Sequence, residues 1–251
     1  MSKVDERIAQ RRREVRDATR RRRLRRTITV VVSLVLLVVA FLVERSSLVA
    51  LDEVEVTGTV RLDAEVVRDA ADLPLGTSTL RLRLGAAERR VEELALVGDA
   101  DISRVDPLTV RISVTERQPV LVAMGGGRQA LVSEDGVVIA PGSEPGLPVV
   151  ELLAGGIPAV GELVDASPPL DAAFTIHHGL SGPLRTEVVR YVARADDDVD
   201  AVLTSGITVR LGNAERLDEQ SRALGAVLED LGGATVSTVD VRAPRAPVVR
   251  P

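Results

Sequence analysis

Four stretches of the sequence carry residue types that could support chemistry, beginning with the adjacent histidines His177 and His178. Neighbouring residues on a helix point about 100° apart, so this pair is poorly placed to bind one metal ion. A Ser-His-Asp triad would have to use one of them, and the sequence contains no nucleophile-elbow motif to accompany it. We therefore interpret both histidines as structural.

An acidic run, DDDVDA, resembles the start of a calcium-binding loop, because Asp196, Asp198 and Asp200 occupy its first, third and fifth positions. The sixth position is Ala201, where that loop requires glycine, and the twelfth is Ile207, where it requires glutamate. The run is therefore interpreted as a solvated turn between strands.

The other two stretches are the glycine-rich MGGGRQ and the adjacent pair Glu116 and Arg117. The glycines are not followed by the Lys-Ser/Thr pair and helix of a phosphate-binding loop, which favours a flexible hairpin. Adjacent residues of a strand point to opposite faces, so Glu116 and Arg117 do not face one substrate. The chain has no cysteine and its one lysine is Lys3, which excludes thiolate and Schiff-base chemistry beyond the N-terminus. The sequence predicts no catalytic residue, no metal and no cofactor.

The elements that must position these residues begin with a basic tail and an apolar run. Residues 1–26 carry twelve basic and four acidic groups, which gives +8 and leaves −13 for the rest of a chain whose formal charge is −5. The uncharged stretch 27–43 would extend about 25 Å as a helix, the short end for a bilayer span. We predict a basic cytoplasmic tail, a single transmembrane helix at 27–43, a linker at 44–50 and an extracytoplasmic remainder.

Other interpretations of this region fit less well. A cleaved signal peptide would need small residues at a cleavage site after the apolar run, and a twin-arginine signal would need a polar context that is missing. A buried soluble helix would show an amphipathic pattern, which the run lacks. The basic tail lacks the interleaved aromatics of a single-stranded nucleic-acid arm. We expect it to bind anionic lipid at the bilayer surface and no nucleic acid.

Residues 51–119 follow the order strand, helix, helix, strand, strand. Val54 and Val56 alternate with polar residues and predict the first strand. Apolar residues at helical spacing predict the two helices, the first with Asp63 as its N-cap. The turn pair Asp106-Pro107 joins the last two strands.

Residues 120–242 predict a mixed β-domain of short strands with one long helix, 214–231, capped by Asn213. The region closes with a strand at 235–242, and 243–251 is predicted to be a flexible tail. We expect a junction between the two domains, because a proline has no N–H for a strand ladder and makes the residue before it extended. The residues predicted to form this junction are Glu116, Arg117, Gln118 and Pro119.

Several of these segments resemble the FtsQ/DivIB family of cell-division proteins. VEVTG (54–58), LPLGTSTL (73–80), VDPLTVRI (105–112) and ERQP (116–119) resemble the POTRA domain of that family. The late segments ITVRLGNAERLDEQSRALGAVLEDL and STVDVRAPRAPVV resemble its late strand and helix and its closing strand. The resemblance implies an α+β fold: a single transmembrane helix, a POTRA (β-α-α-β-β) domain, and a mixed β-domain with a long C-terminal helix.

The resemblance also implies a function. The protein is expected to be a non-enzymatic bitopic scaffold of the bacterial divisome, held in the cytoplasmic membrane and enriched at the septum. It would bind FtsB- and FtsL-like partners and help to regulate septal peptidoglycan synthesis. Two alternatives are a membrane-tethered cell-wall enzyme or sensor, which lacks a catalytic constellation here, and a POTRA-type transport or chaperone module, which would need a large β-barrel after it.

Strand addition is the expected route of partner binding, since an exposed sheet edge offers unpaired backbone groups to another chain. The closing strand is the predicted edge. Tyr191 and Arg210 are predicted to make side-chain contacts with the partner. The residues of the predicted edge are Thr235, Val236, Ser237, Thr238, Val239, Asp240, Val241 and Arg242.

Overall fold

The computed structural model describes residues 26–39, 41–42, 45–46, 49–231 and 236–251. Residues 26–39 and 41–42 are helical, and their large apolar side chains are solvent-exposed. Within these described ranges, no helix is both long enough and apolar enough to cross a bilayer. Most of the predicted tail, and Thr235 of the predicted edge, lie outside the described residues.

The described chain folds into two compact units, each assembled from separate segments. The first unit consists of the described residues up to Glu55, together with Asp72–Leu84 and Ile102–Ile112. The second unit consists of Val56–Ala71, Gly85–Asp101 and Ser113–Pro251.

The predicted order strand, helix, helix, strand, strand is confirmed. A three-stranded sheet has the order β1-β3-β2. A short 3-10 turn, Thr79–Arg81, lies between the two helices. The elements are β1 (Glu53–Thr57), α1 (Ala64–Ala71), α2 (Leu84–Glu92), β2 (Val97–Arg104) and β3 (Thr109–Glu116).

Local sequence explains these elements. Asp63 caps α1 as predicted, because its Oδ1 accepts a hydrogen bond from the Glu65 N–H at 2.9 Å. The apolar residues of β3, Val110, Ile112 and Val114, are buried. The turn after β1 requires Gly58, which has φ +87° and would place a Cβ only 2.0 Å from the carbonyl oxygen of Val114.

A nine-stranded mixed sheet forms the larger part of the second unit. Its strand order is β12-β11-β10-β9-β8-β7-β4-β5-β6. The β4–β7, β7–β8 and β10–β11 pairs are parallel and the others are antiparallel. Its strands are β4 (Pro119–Gly125), β5 (Arg128–Ser133), β6 (Val138–Pro141), β7 (Val149–Leu152), β8 (Val188–Ala195), β9 (Asp198–Leu203), β10 (Thr208–Gly212), β11 (Thr238–Asp240) and β12 (Val248–Arg250).

Helices join the two later parallel pairs, as a parallel connection requires. Helices α3 (Pro168–Gly179) and α4 (Gly182–Glu187) precede β8, and α5 (Leu217–Leu231) lies between β10 and β11. Leu217 and Leu224 of α5 pack into the main core with the sheet and α3. The helix begins later than predicted, and Asn213 Oδ1 instead accepts a hydrogen bond from the Glu215 N–H at 3.3 Å in the preceding turn.

The closing strand differs from its prediction in length and position. Only Thr238–Asp240 form β11, and this strand is not an edge, because β10 pairs with it on one side and β12 on the other. The segment predicted to be a flexible tail contains β12. A turn in which the Ala246 N–H donates to the Ala243 oxygen, at 2.9 Å, precedes β12. The prediction failed because this pairing depends on a tertiary contact and has no local periodicity.

Candidate functional site

The nine-stranded sheet has two outer strands, β6 and β12, and β6 is partly covered. The Val138 N–H donates to the Glu162 oxygen at 2.9 Å, and the Gly161 N–H donates to the Val138 oxygen at 2.8 Å. The segment after β7 therefore occupies backbone groups that an added strand would use at this end of the sheet.

Strand β12 is exposed along its whole length. Val248 and Val249 are 49% and 41% exposed. On its inner side the strand is held by β11 and by Ser237, whose N–H donates to the Arg250 oxygen at 3.0 Å and whose Oγ donates to the Pro251 oxygen at 2.7 Å. Among the described residues no strand pairs with its outer side. An outer strand of this kind presents backbone N–H and C=O groups to a partner.

A ladder of charges crosses the solvent face of the sheet beside this edge. Arg210 lies directly opposite both Asp200 and Asp240. Arg194 Nη2 lies 3.0 Å from Asp200 Oδ2, and Arg242 Nη2 lies 2.6 Å from Asp240 Oδ2. The hydrogen bond from Arg242 lowers the pKa of Asp240. The predicted contact residue Arg210 therefore lies next to the predicted closing strand.

One atom of this ladder is poorly satisfied. Asp200 Oδ1 is buried and has no hydrogen-bond donor, although Arg210 Nε lies 3.8 Å away. That distance is short enough for attraction between charges and too long for a hydrogen bond. The acidic run that resembled a calcium loop thus supplies Asp198 and Asp200 to arginines, and no cluster of three metal-ligating side chains occurs in the described part of the chain.

The prediction that Tyr191 contacts a partner is wrong. Its side chain is fully buried, and its hydroxyl lies 3.1 Å from His177 Nδ1 on α3. Residues along β8 alternate between faces, so Tyr191 and Ala193 face the core while Arg190 and Arg194 face solvent. The arginines on either side were the signal that could have placed Tyr191 correctly.

Burial also sets the ionisation of this pair. Burial, together with smaller contributions from the nearby charges of His178 and Arg185, lowers the pKa of His177 to about 4. Burial raises the pKa of the Tyr191 phenol. His177 is therefore neutral at neutral pH and serves as a structural core residue, which agrees with its interpretation from sequence.

The junction residue Glu116 is buried and has a specific structural role. Its carboxylate accepts hydrogen bonds from the backbone N–H groups of Val60, Arg61 and Leu62 at 2.7, 3.0 and 2.8 Å. Burial raises the pKa of Glu116, but these hydrogen bonds and the charge of Arg61 outweigh it, so the pKa lies below its usual value. The carboxylate thus fixes the loop before α1, a contact across more than fifty residues of sequence that sequence reasoning missed.

Arg117 points to different partners. Its Nε lies 2.8 Å from Asp135 Oδ2 in the turn after β5. Its Nη1 donates to the Ala95 oxygen at 3.0 Å and also to the Val97 oxygen, just before and at the start of β2. One guanidinium therefore ties the β2 segment to the β5 turn. Glu116 and Arg117 are joined to separate surroundings, and both act on backbone geometry.

A second ion pair spans the same region. Arg61 Nη1 lies 2.8 Å from Glu144 Oε2, in the loop after β6. Since Glu116 holds the Arg61 N–H, one loop connects the end of β3 to the loop after β6. Pro119 begins β4 and pairs with Ser133, and Gln118 Nε2 donates weakly to the Glu116 oxygen at 3.4 Å. The predicted junction residues thus make one ion pair, through Arg117, and the carboxylate of Glu116 holds the loop that carries a second.

Comparison with known proteins identifies the family. The POTRA domain, FtsQ-type, matches residues 49–117, and the family Cell division protein FtsQ/DivIB, C-terminal, matches residues 120–242. The cell division protein FtsQ of Streptomyces bingchenggensis (strain BCW-1) is 31% identical over 84% of this chain and 80% of its own length. That of Streptomyces collinus is 31% identical over 90% of this chain and 88% of its own length.

This chain belongs to the FtsQ/DivIB family. A further FtsQ, from Mycobacteroides abscessus, is 31% identical over 81% of this chain and 62% of its own length. The solved extracytoplasmic domain of DivIB from Geobacillus stearothermophilus covers 48% of this chain at 12% identity, with a TM-score of 0.32, which is too low for a comparison of folds.

Membership of the FtsQ/DivIB family makes the protein a cell-division scaffold and not an enzyme. The two family matches meet at the junction residues. The first match ends at Arg117 and the second begins at Val120, so that Gln118 and Pro119 lie between them.

Proposed function

We propose that this FtsQ-family chain is a bitopic scaffold of the bacterial divisome. A single span at residues 27–43 would hold it in the cytoplasmic membrane, with the basic tail in the cytoplasm against anionic lipid. Its outer domains would bind FtsB- and FtsL-like partners at the septum and so help to regulate septal peptidoglycan synthesis. The family supports the division role, and the uncharged stretch behind a tail of charge +8 supports the anchor.

The observation that carries the partner proposal is the open outer side of β12. An extended partner segment would add a tenth strand there, and main-chain hydrogen bonds would supply affinity while alternate side chains supply specificity. The covered edge at β6 favours this end of the sheet. The proposal moves the docking edge from the predicted strand at 235–242 to its neighbour, β12.

Side chains beside the edge support a register. Val249 lies opposite Val239, whose side chain is buried, and Val248 lies opposite Asp240 on the solvent face. An added strand would therefore place alternate residues next to Val249 on one face and next to the charge ladder on the other. Arg210 and Arg242 would contribute positive charge to the binding surface from the same face of the sheet.

The docking edge is tested by capture of the partner. The full chain, with Val249→Pro, is compared with Val249→Thr, which keeps the backbone N–H at the same site. Pull-down of the outer segment of an FtsB-like partner from the same organism should fall at least about tenfold for the proline variant and stay near the unsubstituted level for threonine. Equal capture by both variants, each folded by circular dichroism, would refute addition at β12.

Deletion of residues 247–251 separates two modes of addition. If the partner adds outside β12, the deletion weakens capture, because the docking strand is gone. If capture strengthens, the partner instead replaces β12 on β11, and the originally predicted strand is the docking surface. A fluorescent fusion at the N-terminus tests the division role independently: enrichment at the septum is expected, and diffuse membrane signal would contradict it.

We also propose that residues 51–119 and 120–242 are two binding domains and that Glu116, Arg117, Gln118 and Pro119 are their junction. Stiffness at this junction would set the angle between two binding surfaces. The buried carboxylate of Glu116 and the three-way contacts of Arg117 support a stiff junction.

A further inference from the structure

The first unit exposes a group of large apolar side chains close to the residues where the chain enters it. Leu75 is 66% exposed, Leu80 is 62% exposed and Leu108 is 37% exposed. We call these three exposed leucines, Leu75, Leu80 and Leu108, the entry face, because each lies beside residues 49–53. Exposed leucines that are grouped in this way mark a contact surface more often than leucines that occur singly.

Hydrogen bonds place the first two leucines beside the entering chain. The Leu51 N–H donates to the Thr77 oxygen at 2.8 Å, and the Gly76 N–H donates to the Leu51 oxygen at 2.8 Å. Leu75 directly precedes Gly76. Thr79 Oγ1 donates to the Val49 oxygen at 3.3 Å, and Leu80 directly follows Thr79.

The third leucine is bonded to the same short segment. The Leu108 oxygen accepts hydrogen bonds from the Asp52 N–H at 2.8 Å and from the Glu53 N–H at 3.3 Å. Each leucine of the entry face is therefore bonded to residues 49–53, or adjoins a residue that is. The entry face therefore adjoins residues 49–53.

The apolar helical stretch ends only a few residues before this segment. Residue 42 is helical, and Val49 lies seven residues further along the chain. Seven steps of fully extended chain reach at most about 25 Å. If the stretch 27–43 lies in a bilayer, Val49 lies within about 25 Å of the outer end of that stretch, and the entry face adjoins Val49.

The charges on this side do not favour one sign. Arg81 and Arg83 are exposed, and so are Asp52, Glu53 and Asp106. Attraction to anionic lipid is therefore weak, and the apolar side chains are what an interface would bury.

We propose that the entry face rests in the interfacial layer of the membrane, with Leu75, Leu80 and Leu108 inserted among the lipid headgroups. This inference depends on the proposed membrane anchor. Its consequence is that the first unit is seated on the bilayer by its own surface as well as tethered to it by the chain.

The absence of cysteine from the sequence makes the test direct. The full chain is placed in lipid nanodiscs as three single-cysteine variants, Val35→Cys, Leu80→Cys and Leu153→Cys, each carrying the same fluorophore. Leu153 is the matched control, because it is 58% exposed and belongs to the second unit. Quenching is measured with nitroxides placed either in the headgroup layer or in the middle of the acyl chains.

Headgroup nitroxide should quench the probe at Leu80 at least about twofold more than the probe at Leu153, since interfacial groups lie only 5–10 Å deep. The mid-chain nitroxide should quench the probe at Val35. If Val35 is quenched and Leu80 is quenched no more than Leu153, the entry face is refuted and the anchor stands. If Val35 is not quenched, the anchor itself fails.

Two further measurements test the chemistry. The probe at Leu80 should be quenched equally in neutral lipid and in lipid with anionic headgroups. If quenching requires anionic lipid, the contact depends on charge and the proposal of an apolar contact is refuted. Leu75→Ser with Leu108→Ser should lower quenching at Leu80 to the level of Leu153. The control is the double variant Val60→Ser with Val66→Ser, whose sites are 89% and 43% exposed and lie outside the entry face. This variant should leave quenching at Leu80 unchanged.

Discussion

The residues of the predicted junction and the β12 edge are held in opposite ways. At the junction, Glu116 and Arg117 are charged side chains that bind backbone groups far away in sequence, and Glu116 is buried. At the edge, β12 is exposed and is held by hydrogen bonds to β11 and Ser237 on one side only. Interactions of the first kind fix one geometry, whereas those of the second leave backbone groups available. The comparison suggests that rigidity in this molecule comes from buried charge and that binding capacity comes from unpaired main chain.

Among the residues of the predicted junction, the largest expected effect is at Glu116. Glu116→Ala should destabilise the fold by about 3 kcal/mol, because the backbone N–H groups of Val60, Arg61 and Leu62 lose a charged acceptor. Urea unfolding of the full chain measures the change. Glu116→Gln keeps an acceptor oxygen and should recover part of the loss. A Glu116→Ala protein as stable as the parent would show that the carboxylate does not hold the 60–62 loop.

Lowering the pH distinguishes the stability contribution of the core residue His177 from that of Glu116. The folded pKa of His177, about 4, lies below its unfolded value of 6.5, so the unfolded chain binds more protons between these values and stability falls as pH falls through this window. The loss should approach about 3 kcal/mol at pH 4. The pKa of Glu116 is lowered, so its contribution is lost only on further acidification, below its usual range. His177→Phe should flatten the curve between pH 6.5 and 4, and an unchanged curve would exclude His177 as its cause.

A smaller effect is expected at Arg117. Arg117→Ala removes an ion pair to Asp135 and two hydrogen bonds to backbone oxygens, and should cost about 2 kcal/mol in urea unfolding. Arg111→Ala is the matched control, since its pair with Glu55 is solvent-exposed and such pairs contribute little. Equal losses from the two variants would remove the distinction between a junction arginine and a surface arginine.

The smallest effect on stability is expected at the edge. Val249→Pro should cost less than about 1 kcal/mol, because an outer strand tolerates the loss of one N–H. Val239→Pro, one strand further in, should cost about 3 kcal/mol or more, because Val239 is buried between two paired strands. If both variants are equally unstable, β12 is part of the rigid sheet and the contrast with the junction fails.

Local pattern in the sequence predicted a large share of the fold. The alternation of Val110, Ile112 and Val114 gave the right strand and the right buried face, and the 3.6-residue spacing from Leu217 to Leu231 gave the long helix to within three residues at its start. Both signals are local, since neighbouring residues of one element reveal which face is buried.

The site residues were predicted less well, and the reason is the range of their contacts. Glu116 accepts a hydrogen bond from the Val60 N–H across 56 residues of sequence. No local sequence pattern predicts a partner at that separation. The pairing of β12 depends on a turn at 243–246 that places Val249 against Val239. The prediction of a partner contact at Tyr191 considers that residue by itself. The alternation of residues in its own strand places it in the core.

The parallel pairing of β10 and β11 has a consequence for the order of folding. Val209 pairs with Val239 across the whole of α5, so the ends of a thirty-residue segment must meet before β11 is ordered. Among the described residues β12 pairs only with β11, and so we expect it to become ordered after α5 has docked. The edge proposed for partner binding would therefore be among the last parts of the molecule to assemble, and a molecule with an incomplete core would not present it. Recruitment to the septum would then select for chains that have finished folding.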